Sequence, residues 1–552
     1  MKTILQHSLV LSALVILLPA CSQDSNTSTL EPVVTVEDTR PNILYILADD
    51  LAFSDLGVFG GEIATPNLDM LATRGMLLTD FYTGLACSPT RAMLMSGMNN
   101  HLSGLGVMAP SNRPEHQNQP GYLGYLNFQV ATLADLLTDA GYNTYLAGKW
   151  HLGSEVETGP RARGFKRSFV SLDGAAHLGP WDWRGPQNAR YRDGDELVEV
   201  GDDYYSTRVY TEKMIDYIAA DHRDGKPFFG WLAYTAPHWP VQAPKASIAR
   251  QRGNYDAGYE VLYHRRLARL KELGLVAAHL EPIPDTRFQP RWDELTEEQQ
   301  AYEARTMEVY AAMVSDLDRY VGQLIDYLRE IDEFDNTFII FSSDNGAESG
   351  HTEARAAIVE QIGKAYDHSL DNLGAGNTYL MIGRNWASAT EAPFYRHKAS
   401  AYEGGIHVPA FVYYPPLVPA GTRSRGTSHV MDLLPTFLAL ARHPLPGTTY
   451  RGQEVLPVQG KNLLPLLQGE AEELRSDNEL LGFELYGHRS VRQGDWKLVW
   501  DHAGPPEARR WYLFNLAEDP FEQHDLSTSN PEQYARMLAN WETFAENNGV
   551  IY

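Results

Sequence analysis

Continuous apolar runs of strand length recur along the chain, and segments with helical periodicity separate them. These runs cover residues 42–48, 143–147, 227–234, 337–343 and 408–414. Runs without polar alternation are typical of strands buried on both faces of a parallel sheet. Their alternation with helices predicts an α/β sheet flanked by helices.

Capping residues mark several of the predicted helices. Thr65 as N-cap, Pro66 at the first helical position and Gly75 after the last turn predict one helix. Thr132 followed by Asp135 fits a capping box that opens another. A 3.6-residue apolar period predicts a long helix before the fourth strand, with the members Tyr310, Met313, Val314, Leu317, Val321, Leu324, Ile325 and Leu328.

The pattern changes to short alternating runs beyond about residue 444. Residues 490–492 and 496–500 predict a hairpin, residues 511–515 predict a further strand, and residues 531–547 predict a final helix. We therefore predict a large α/β domain over residues 41–440. A small antiparallel α+β unit is predicted over residues 441–552.

The first 20 residues have the pattern of a secretory signal peptide, with an apolar run that is too short for the roughly 20 residues of a membrane span. The segment ending at Cys21 resembles a lipoprotein box, which implies membrane attachment through a lipidated Cys21. Pro19 departs from that pattern, so simple secretion stays open. Residues 21–40 lack periodicity and predict a flexible tether. We expect an exported protein, in the periplasm or anchored to the outer membrane of a bacterium.

Composition excludes several classes of protein. Acidic residues outnumber basic ones by 71 to 46, which gives a net charge of −25 and argues against nucleic acid as a partner. A hydrophobic content of 43% excludes global disorder. The chain has only two cysteines, Cys21 and Cys87, and this excludes a disulfide framework.

Oxygen-bearing side chains follow two of the predicted strands. Asp49 and Asp50 come after the first strand, and Asp344 and Asn345 come after the fourth. Ligands of open α/β sheets bind at the carboxyl ends of the strands, so we expect the two clusters to meet there. Their oxygens suit a hard cation such as calcium or magnesium. Taken alone, each cluster is also ordinary turn chemistry.

Cys87 lies at the start of a predicted helix that runs toward Ser96. The field of the helix and the nearby Arg91 favour an anion at this end, either a thiolate or a bound oxyanion. The alternative is a buried and inert cysteine.

The segment Cys87-Ser88-Pro89-Thr90-Arg91 resembles the signature of type I sulfatases, in which the cysteine is oxidised to formylglycine. The resemblance covers the chain from about Pro41 to Asp525 and is strongest toward bacterial arylsulfatases. Its further motifs follow in the family's order: residues 41–50, 148–153, 235–238, 343–346 and 397–405.

This resemblance implies an alkaline-phosphatase-like fold, with a large mixed sheet flanked by helices and a small C-terminal antiparallel unit. It implies a formylglycine made from Cys87 by a maturation enzyme, and a divalent cation, Ca²⁺ or Mg²⁺. The implied metal ligands are Asp49, Asp50, residue 87, Asp344 and Asn345. The implied catalytic residues are Cys87, Arg91, Lys149, His151, His238 and Lys398.

The implied roles follow the chemistry of a sulfate ester. Arg91, Lys149 and Lys398 would hold the aldehyde hydrate and the sulfate oxygens. His151 would be the base that releases sulfate from a covalent sulfo-enzyme intermediate, and His238 with Lys398 would protonate the leaving oxygen. The implied activity is sulfate ester hydrolysis of the arylsulfatase type, on a small or carbohydrate sulfate ester.

Two other functions stay open at this point. Relatives with the same motif include phosphonate and phosphodiester hydrolases, and a catalytically silent protein that captures sulfated polysaccharide is the alternative outside the enzymes. Two segments, Asn100-His101 and Trp181-Asp182-Trp183, have either a place at the substrate mouth or a role in loop packing. An aromatic wall there suits an aryl leaving group or a sugar ring.

Overall fold

The computed structural model describes residues 39–109, 113–172, 176–181, 189–350, 366–502 and 506–551. The part from Thr39 onward forms one compact unit. The predicted signal peptide, Cys21 and nearly all of the predicted tether lie outside the described residues, as do Asp182 and Trp183. Within these ranges, none of the helices combines the length and the apolar character that crossing a bilayer requires.

The main sheet has eleven strands in the described ranges, in the order β10-β2-β9-β8-β1-β7-β3-β4-β5-β6, with β11 paired to β2. Its strands are β1 (Asn42–Asp49), β2 (Met76–Tyr82), β3 (Asn143–Lys149), β4 (Arg167–Ser171), β5 (Tyr191–Asp193), β6 (Glu196–Val198), β7 (Phe228–Pro237), β8 (Thr337–Ser343), β9 (His407–Tyr413), β10 (Thr422–Ser424) and β11 (Ser428–His429). A two-stranded ribbon, β12 (Thr449–Tyr450) and β13 (Gln453–Glu454), precedes a four-stranded C-terminal sheet. That sheet is β14 (Leu481–Leu485), β15 (His488–Gln493), β16 (Trp496–Trp500) and β17 (Trp511–Asn515).

Helices cover both faces of the main sheet. In chain order they are α1 (Pro66–Arg74), α2 (Cys87–Ser96), α3 (Leu133–Asp139), α4 (Ser206–Asp221), α5 (Lys245–Arg250), α6 (Tyr259–Glu272), α7 (Glu297–Glu330), α8 (Gly383–Thr390), α9 (Glu403–Ile406), α10 (Leu433–Leu440), α11 (Leu464–Leu467) and α12 (Pro531–Asn548). Alternate residues of β1 enter two separate cores: Leu44 and Ile46 pack on one face, and Ile43 and Tyr45 on the other. The unbroken apolar run of β1 is therefore explained by burial on both faces.

All five predicted strands of the main sheet are present, but the direction predicted for one of them is wrong. β1 pairs in parallel with β7 and β8. β9 instead runs antiparallel to β8 and β2. An apolar run records burial and not direction, which the connecting chain decides. Because β9 is reversed, the segment before it arrives at the edge where β1 and β8 end.

The predicted helix starts are present, and their caps differ in kind. The Thr132 hydroxyl accepts a hydrogen bond from the Asp135 amide at 3.1 Å, which is one half of the predicted capping box, and the Asp135 carboxylate accepts from the Thr132 hydroxyl at 2.8 Å. Thr65 does not cap α1 through its side chain. The carboxylate of Asp318, on α7, accepts the amides of Asn67 and Leu68 at 2.9 and 2.8 Å. The first turn of α1 is thus satisfied by a distant helix.

The C-terminal sheet has two differently covered faces. The predicted hairpin is β15 and β16, which pair in register from Arg489 with Trp500 to Gln493 with Trp496. One face joins the core of the main sheet, and the other packs against Trp541 of α12. The described residues from Thr39 onward form one compact unit, and the boundary at residue 440 stays a prediction.

Candidate active site

One edge of the main sheet collects the predicted chemistry. β1, β3, β7 and β8 are mutually parallel, and β2 shares their direction because both β2 and β8 are antiparallel to β9. Site residues therefore follow five strand ends at the same edge. They are Asp49 and Asp50 at β1, Cys87 after β2, Lys149 and His151 at β3, His238 after β7, and Asp344 and Asn345 after β8.

Lys398 reaches the same edge from the segment before β9. The Lys398 amide donates to the carbonyl of Ala347 at 3.0 Å, and the Ala399 amide donates to the carbonyl of Leu85 at 2.8 Å. This segment is thereby hydrogen-bonded to the chain on either side of the site. The approach is close, since a Cβ atom on Gly346 would lie 2.0 Å from the Gly404 carbonyl oxygen. Any side chain at position 346 would clash with this carbonyl, so only glycine fits there.

Three buried carboxylates pair with three buried cations, and Arg91 also lies 3.8 Å from Asp49 Oδ1. The ammonium of Lys149 lies 2.7 Å from an oxygen of Asp49, and that of Lys398 lies 2.7 and 3.0 Å from the two oxygens of Asp50. The third pair joins two nitrogens of Arg91 to one Asp344 oxygen, at 2.8 and 3.1 Å. Burial raises the pKa of Asp49, but the charges of Lys149, Arg91, Lys398 and the His238 ring together outweigh it and hold that pKa well below its ordinary value.

Cys87 is the first residue of α2 and is fully buried. Its sulfur lies 3.7 Å from an Asp50 oxygen. Burial and the charges of Asp344 and Asp49 raise the pKa of the Cys87 thiol well above its ordinary value. The thiolate expected from the helix field is therefore disfavoured, because Arg91 is engaged by Asp344 and two carboxylates act on the sulfur.

The donor set fits a hard divalent cation. Among the described residues, Asp49 Oδ1 and Asn345 Oδ1 are buried without a hydrogen-bond partner, which favours an ion as their ligand. Asp49, Asp50, Cys87 and His238 each offer a ligand atom, and these four atoms lie within 4.8 Å of one another. Asp344, a predicted ligand, uses one oxygen for Arg91 and the other to accept the Asp50 amide at 3.2 Å.

Two predicted histidines lie beside these pairs. His238 Nε2 is 3.4 Å from an Asp50 oxygen, and its Nδ1 donates to the Trp239 carbonyl. Burial, with the charges of Lys149 and Lys398, lowers the pKa of His238 well below its ordinary value. His151 Nδ1 is buried with no partner among the described residues, and burial with Lys149 lowers the pKa of His151 in the same way. The lowered pKa values favour the neutral form of both imidazoles.

Three residues of the site have a left-handed backbone. The φ angles are 67° at Asp50, 57° at His151 and 62° at Ala399. This region is costly for residues other than glycine, and such strain concentrates at functional sites. Asp50 belongs to the charged pairs, Ala399 directly follows Lys398, and His151 lies two residues after Lys149.

Several supporting residues were not identified from the sequence. The Thr90 hydroxyl donates to the Asp344 carbonyl at 2.6 Å and accepts the Gly84 amide, so Thr90 connects the nucleophile loop to the acidic loop. Glu391 accepts the amides of Phe53 and Ala347 from inside the protein. Glu348 lies 3.3 Å from the ammonium of Lys398. Of these three residues, only Thr90 could have been identified from the sequence, because it lies within the signature at residues 87–91.

The two segments considered for the substrate mouth have different surroundings. His101 is buried and bonds to Glu484 of β14 at 2.7 Å, which is a packing role. Trp181 packs on Tyr366, with ring centroids 5.3 Å apart, and Tyr366 packs on Tyr379 at 5.4 Å. Tyr379 in turn contacts Trp239, next to His238. The described part of the tryptophan segment thus joins an aromatic row that reaches the site.

A family model described as Sulfatase matches residues 41–443, and the chain belongs to this family. An uncharacterised sulfatase of Schizosaccharomyces pombe is 40% identical over 532 residues, which cover 93% of this chain and 95% of the relative. An arylsulfatase of Klebsiella aerogenes is 36% identical over 433 residues, which cover 77% of this chain and 92% of the relative. The predicted resemblance to type I sulfatases is confirmed.

Solved structures agree with this family. The crystal structure of Ps i-CgsB in complex with a neocarrahexaose superposes with a TM-score of 0.66 at 26% identity, covering 92% of this chain and 93% of that one. The fold is the alkaline-phosphatase-like fold of the sulfatases, as predicted: a large mixed sheet between helices and a small antiparallel C-terminal sheet.

Proposed function

We propose that this sulfatase hydrolyses sulfate esters of the arylsulfatase type, with residue 87 converted to formylglycine and a calcium ion in the acidic cluster. The observation that carries the proposal is the position of Cys87, 3.7 Å from Asp50 and within a cluster of three carboxylates and three cations. A buried cluster that contains three cations stabilises the negative charge that develops on sulfate oxygens. The oxygen-rich donors favour calcium, with magnesium as the other candidate.

The chain's own residues supply charge and proton transfer in this proposal. Lys149 and Lys398 hold sulfate oxygens as compact point charges, and Arg91 keeps Asp344 in place. Lys398, whose ammonium lies beside Asp50, gives a proton to the ester oxygen as the S–O bond breaks, and the neutral His238 beside the same carboxylate accepts and relays protons. His151 takes a proton when sulfate is released. Hydrated formylglycine would supply two hydroxyls: one would attack sulfur after losing its proton to Asp344, and loss of the other's proton to His151 would re-form the aldehyde as sulfate leaves.

The aromatic row favours a ring on the leaving group. The Trp239 ring lies 4.8 Å from that of His238 between centroids, and 5.5 Å from that of Tyr379. A ring bound to the ester oxygen would meet these faces, which suit both aryl groups and sugars. The arylsulfatase relative supports an aryl sulfate.

Nitrophenol release from nitrophenyl sulfate tests the proposed function. We expect turnover by the purified chain, and we expect mass spectrometry of the peptide containing residue 87 to show loss of the thiol and gain of an aldehyde. Galactose sulfates and an aryl phosphonate with the same phenol complete the panel. Turnover of the phosphonate with no turnover of any sulfate would contradict the proposal.

Removal of divalent cations is expected to lower thermal stability, because the unpartnered oxygens of Asp49 and Asn345 lose their ligand. At a hundredfold excess over its Kd, an ion that binds only the folded state stabilises it by about 3 kcal/mol. Calorimetric unfolding with a chelator, and then with calcium or magnesium restored, measures this shift. An Asp49→Asn, Asn345→Ala variant is the control and should no longer respond. Identical unfolding with and without the chelator would exclude the ion.

A further inference from the structure

Glu391 is a buried carboxylate that hydrogen-bonds to both acidic loops of the site. It directly follows α8, and its side chain has no exposed surface. One of its oxygens accepts the Phe53 amide at 3.1 Å, and the other accepts the Ala347 amide. Phe53 belongs to the β1 loop, which comprises residues 50–55, and Ala347 belongs to the β8 loop, which comprises residues 344–348. One side chain therefore joins the two loops.

The predicted ligands of the cation are divided between the same two loops. Among the described residues, Asp49 Oδ1, at the start of the β1 loop, and Asn345 Oδ1, in the β8 loop, are the carboxylate and amide oxygens of the site that lack a partner. The ladder between β1 and β8 ends with Ala48 and Ser343, before either loop begins. Calcium binds its oxygens at about 2.3–2.6 Å. Its affinity therefore depends on how far apart the two loops are held.

The surroundings of Glu391 hold its carboxylate in place. The carbonyl of Thr390 accepts the hydroxyl of Ser54 at 2.7 Å and the Ser54 amide at 3.3 Å, which adds a second connection to the β1 loop. On the side of the β8 loop, a Cβ atom on Gly346 would lie 2.8 Å from a Glu391 oxygen. The carboxylate is thus closely packed between the loops, so its displacement would move them relative to each other.

We propose that Glu391 is a positioning residue for the divalent cation, which holds the β1 loop and the β8 loop at the spacing that ion binding requires. This inference rests on the proposed function, because the ion is the one assigned there to the acidic cluster. Glu391 bonds to backbone amides of the loops and not to the ligand oxygens. Its effect on the ion is therefore transmitted through the positions of the loops.

Glu391→Gln tests this role at almost constant side-chain volume. Burial raises the pKa of Glu391 well above its ordinary value. In either protonation state both of its oxygens have acceptor capacity, whereas glutamine has one acceptor oxygen and an NH₂ group that would face an amide N–H. Titration calorimetry with calcium chloride, on protein stripped by a chelator, is expected to show a Kd raised about tenfold, the scale for residues that orient metal ligands.

Turnover provides a second readout of the same effect. The calcium concentration that half-restores nitrophenyl sulfate hydrolysis to the stripped protein should rise in Glu391→Gln by the same factor as the Kd. A purely structural role would lower the stability of the ion-free protein without changing either calcium concentration.

Asp318→Asn is the matched control, because Asp318 is also a buried carboxylate that accepts two backbone amides, those of Asn67 and Leu68. These bonds join α7 to α1 and involve neither acidic loop. The control should lower the midpoint of urea unfolding and leave the calcium Kd at its wild-type value. An equal rise of the Kd in Asp318→Asn and Glu391→Gln would mean that general destabilisation weakens calcium binding, and the proposal would fail.

Ser54→Ala keeps the proposal testable if Glu391→Gln does not fold. It removes only the hydroxyl bond to the Thr390 carbonyl and leaves the carboxylate in place. The calcium Kd is expected to rise about threefold, within the scale of one hydrogen bond. An unchanged Kd in this variant, when it is the one that decides, would overturn the role of Glu391.

Calcium binding is measured without turnover and so separates this inference from the proposed function. If the wild type binds calcium but hydrolyses no sulfate ester, the proposed activity fails, and the ratio of the Kd values still decides the role of Glu391. If the wild type binds calcium and Glu391→Gln binds it equally well, only the role of Glu391 is refuted. If the wild type binds neither calcium nor magnesium, the proposed ion and the role of Glu391 are both refuted.

Discussion

Replacement of Cys87 by alanine is expected to abolish nitrophenyl sulfate hydrolysis, with a loss of at least about 10⁴-fold, the scale seen when a nucleophile is removed. The physical reason is that alanine cannot be oxidised to an aldehyde, so no hydroxyl is presented to sulfur. The charged pairs around residue 87 do not involve the sulfur and should persist. Initial rates of nitrophenol release, with equal amounts of folded wild type and variant, measure the effect.

The control for this variant is a change on the same helix that leaves the chemistry intact. Met95→Leu in α2 conserves core volume, and such swaps usually cost less than about 1.5 kcal/mol. It should retain wild-type turnover. Retained turnover in Cys87→Ala would instead show that residue 87 is not the nucleophile, and the proposed mechanism would have to be abandoned.

Sequence patterns predicted the part of the fold that depends on local burial. The runs that became β1, β3, β7 and β8 are buried on both faces, so their apolar character is continuous and easy to identify. β2 was missed because Thr79 and Asp80 interrupt its apolar run. The antiparallel direction of β9 could not be predicted from its own sequence either.

The sequence predicted which residues form the candidate site wherever they follow a strand or lie in a signature motif. The predicted residues with described positions gather at one edge of the sheet, because parallel strands end together. Their pairing was not predictable: nothing near Asp344 in the sequence indicates that Arg91 binds it.

A second buried charge cluster connects the C-terminal sheet to the segment that carries Lys398. Lys497 of β16 lies 2.6 Å from Glu403 and 2.9 Å from Glu522. Glu403 begins α9, five residues after Lys398, and its amide donates to Glu522 at 2.7 Å. Burial and the charge of Glu403 raise the pKa of Glu522 to about 7, with Lys497 opposing them. The C-terminal sheet therefore supports one wall of the site.

Lys497→Met is expected to destabilise the protein by about 3–5 kcal/mol, the cost of leaving a buried charge without its partner. Two carboxylates, Glu403 and Glu522, would face each other in the interior without the ammonium that contacts both of them. Urea unfolding, compared by transition midpoints and slopes, measures the loss. Sulfate ester turnover at a temperature where the variant is folded should also fall, because Glu403 no longer holds the Lys398 segment in place.

A double-variant cycle distinguishes this cluster from general loss of packing. Glu522→Gln removes one of the two carboxylates, so in its presence Lys497→Met leaves a single buried charge that Tyr82 and His407 already bond, at 2.8 and 2.9 Å. The double variant should therefore lose less stability than the two single variants added together. Strictly additive losses would mean that Lys497 contributes through its aliphatic stem, and the C-terminal sheet would then support the Lys398 segment by packing rather than by charge.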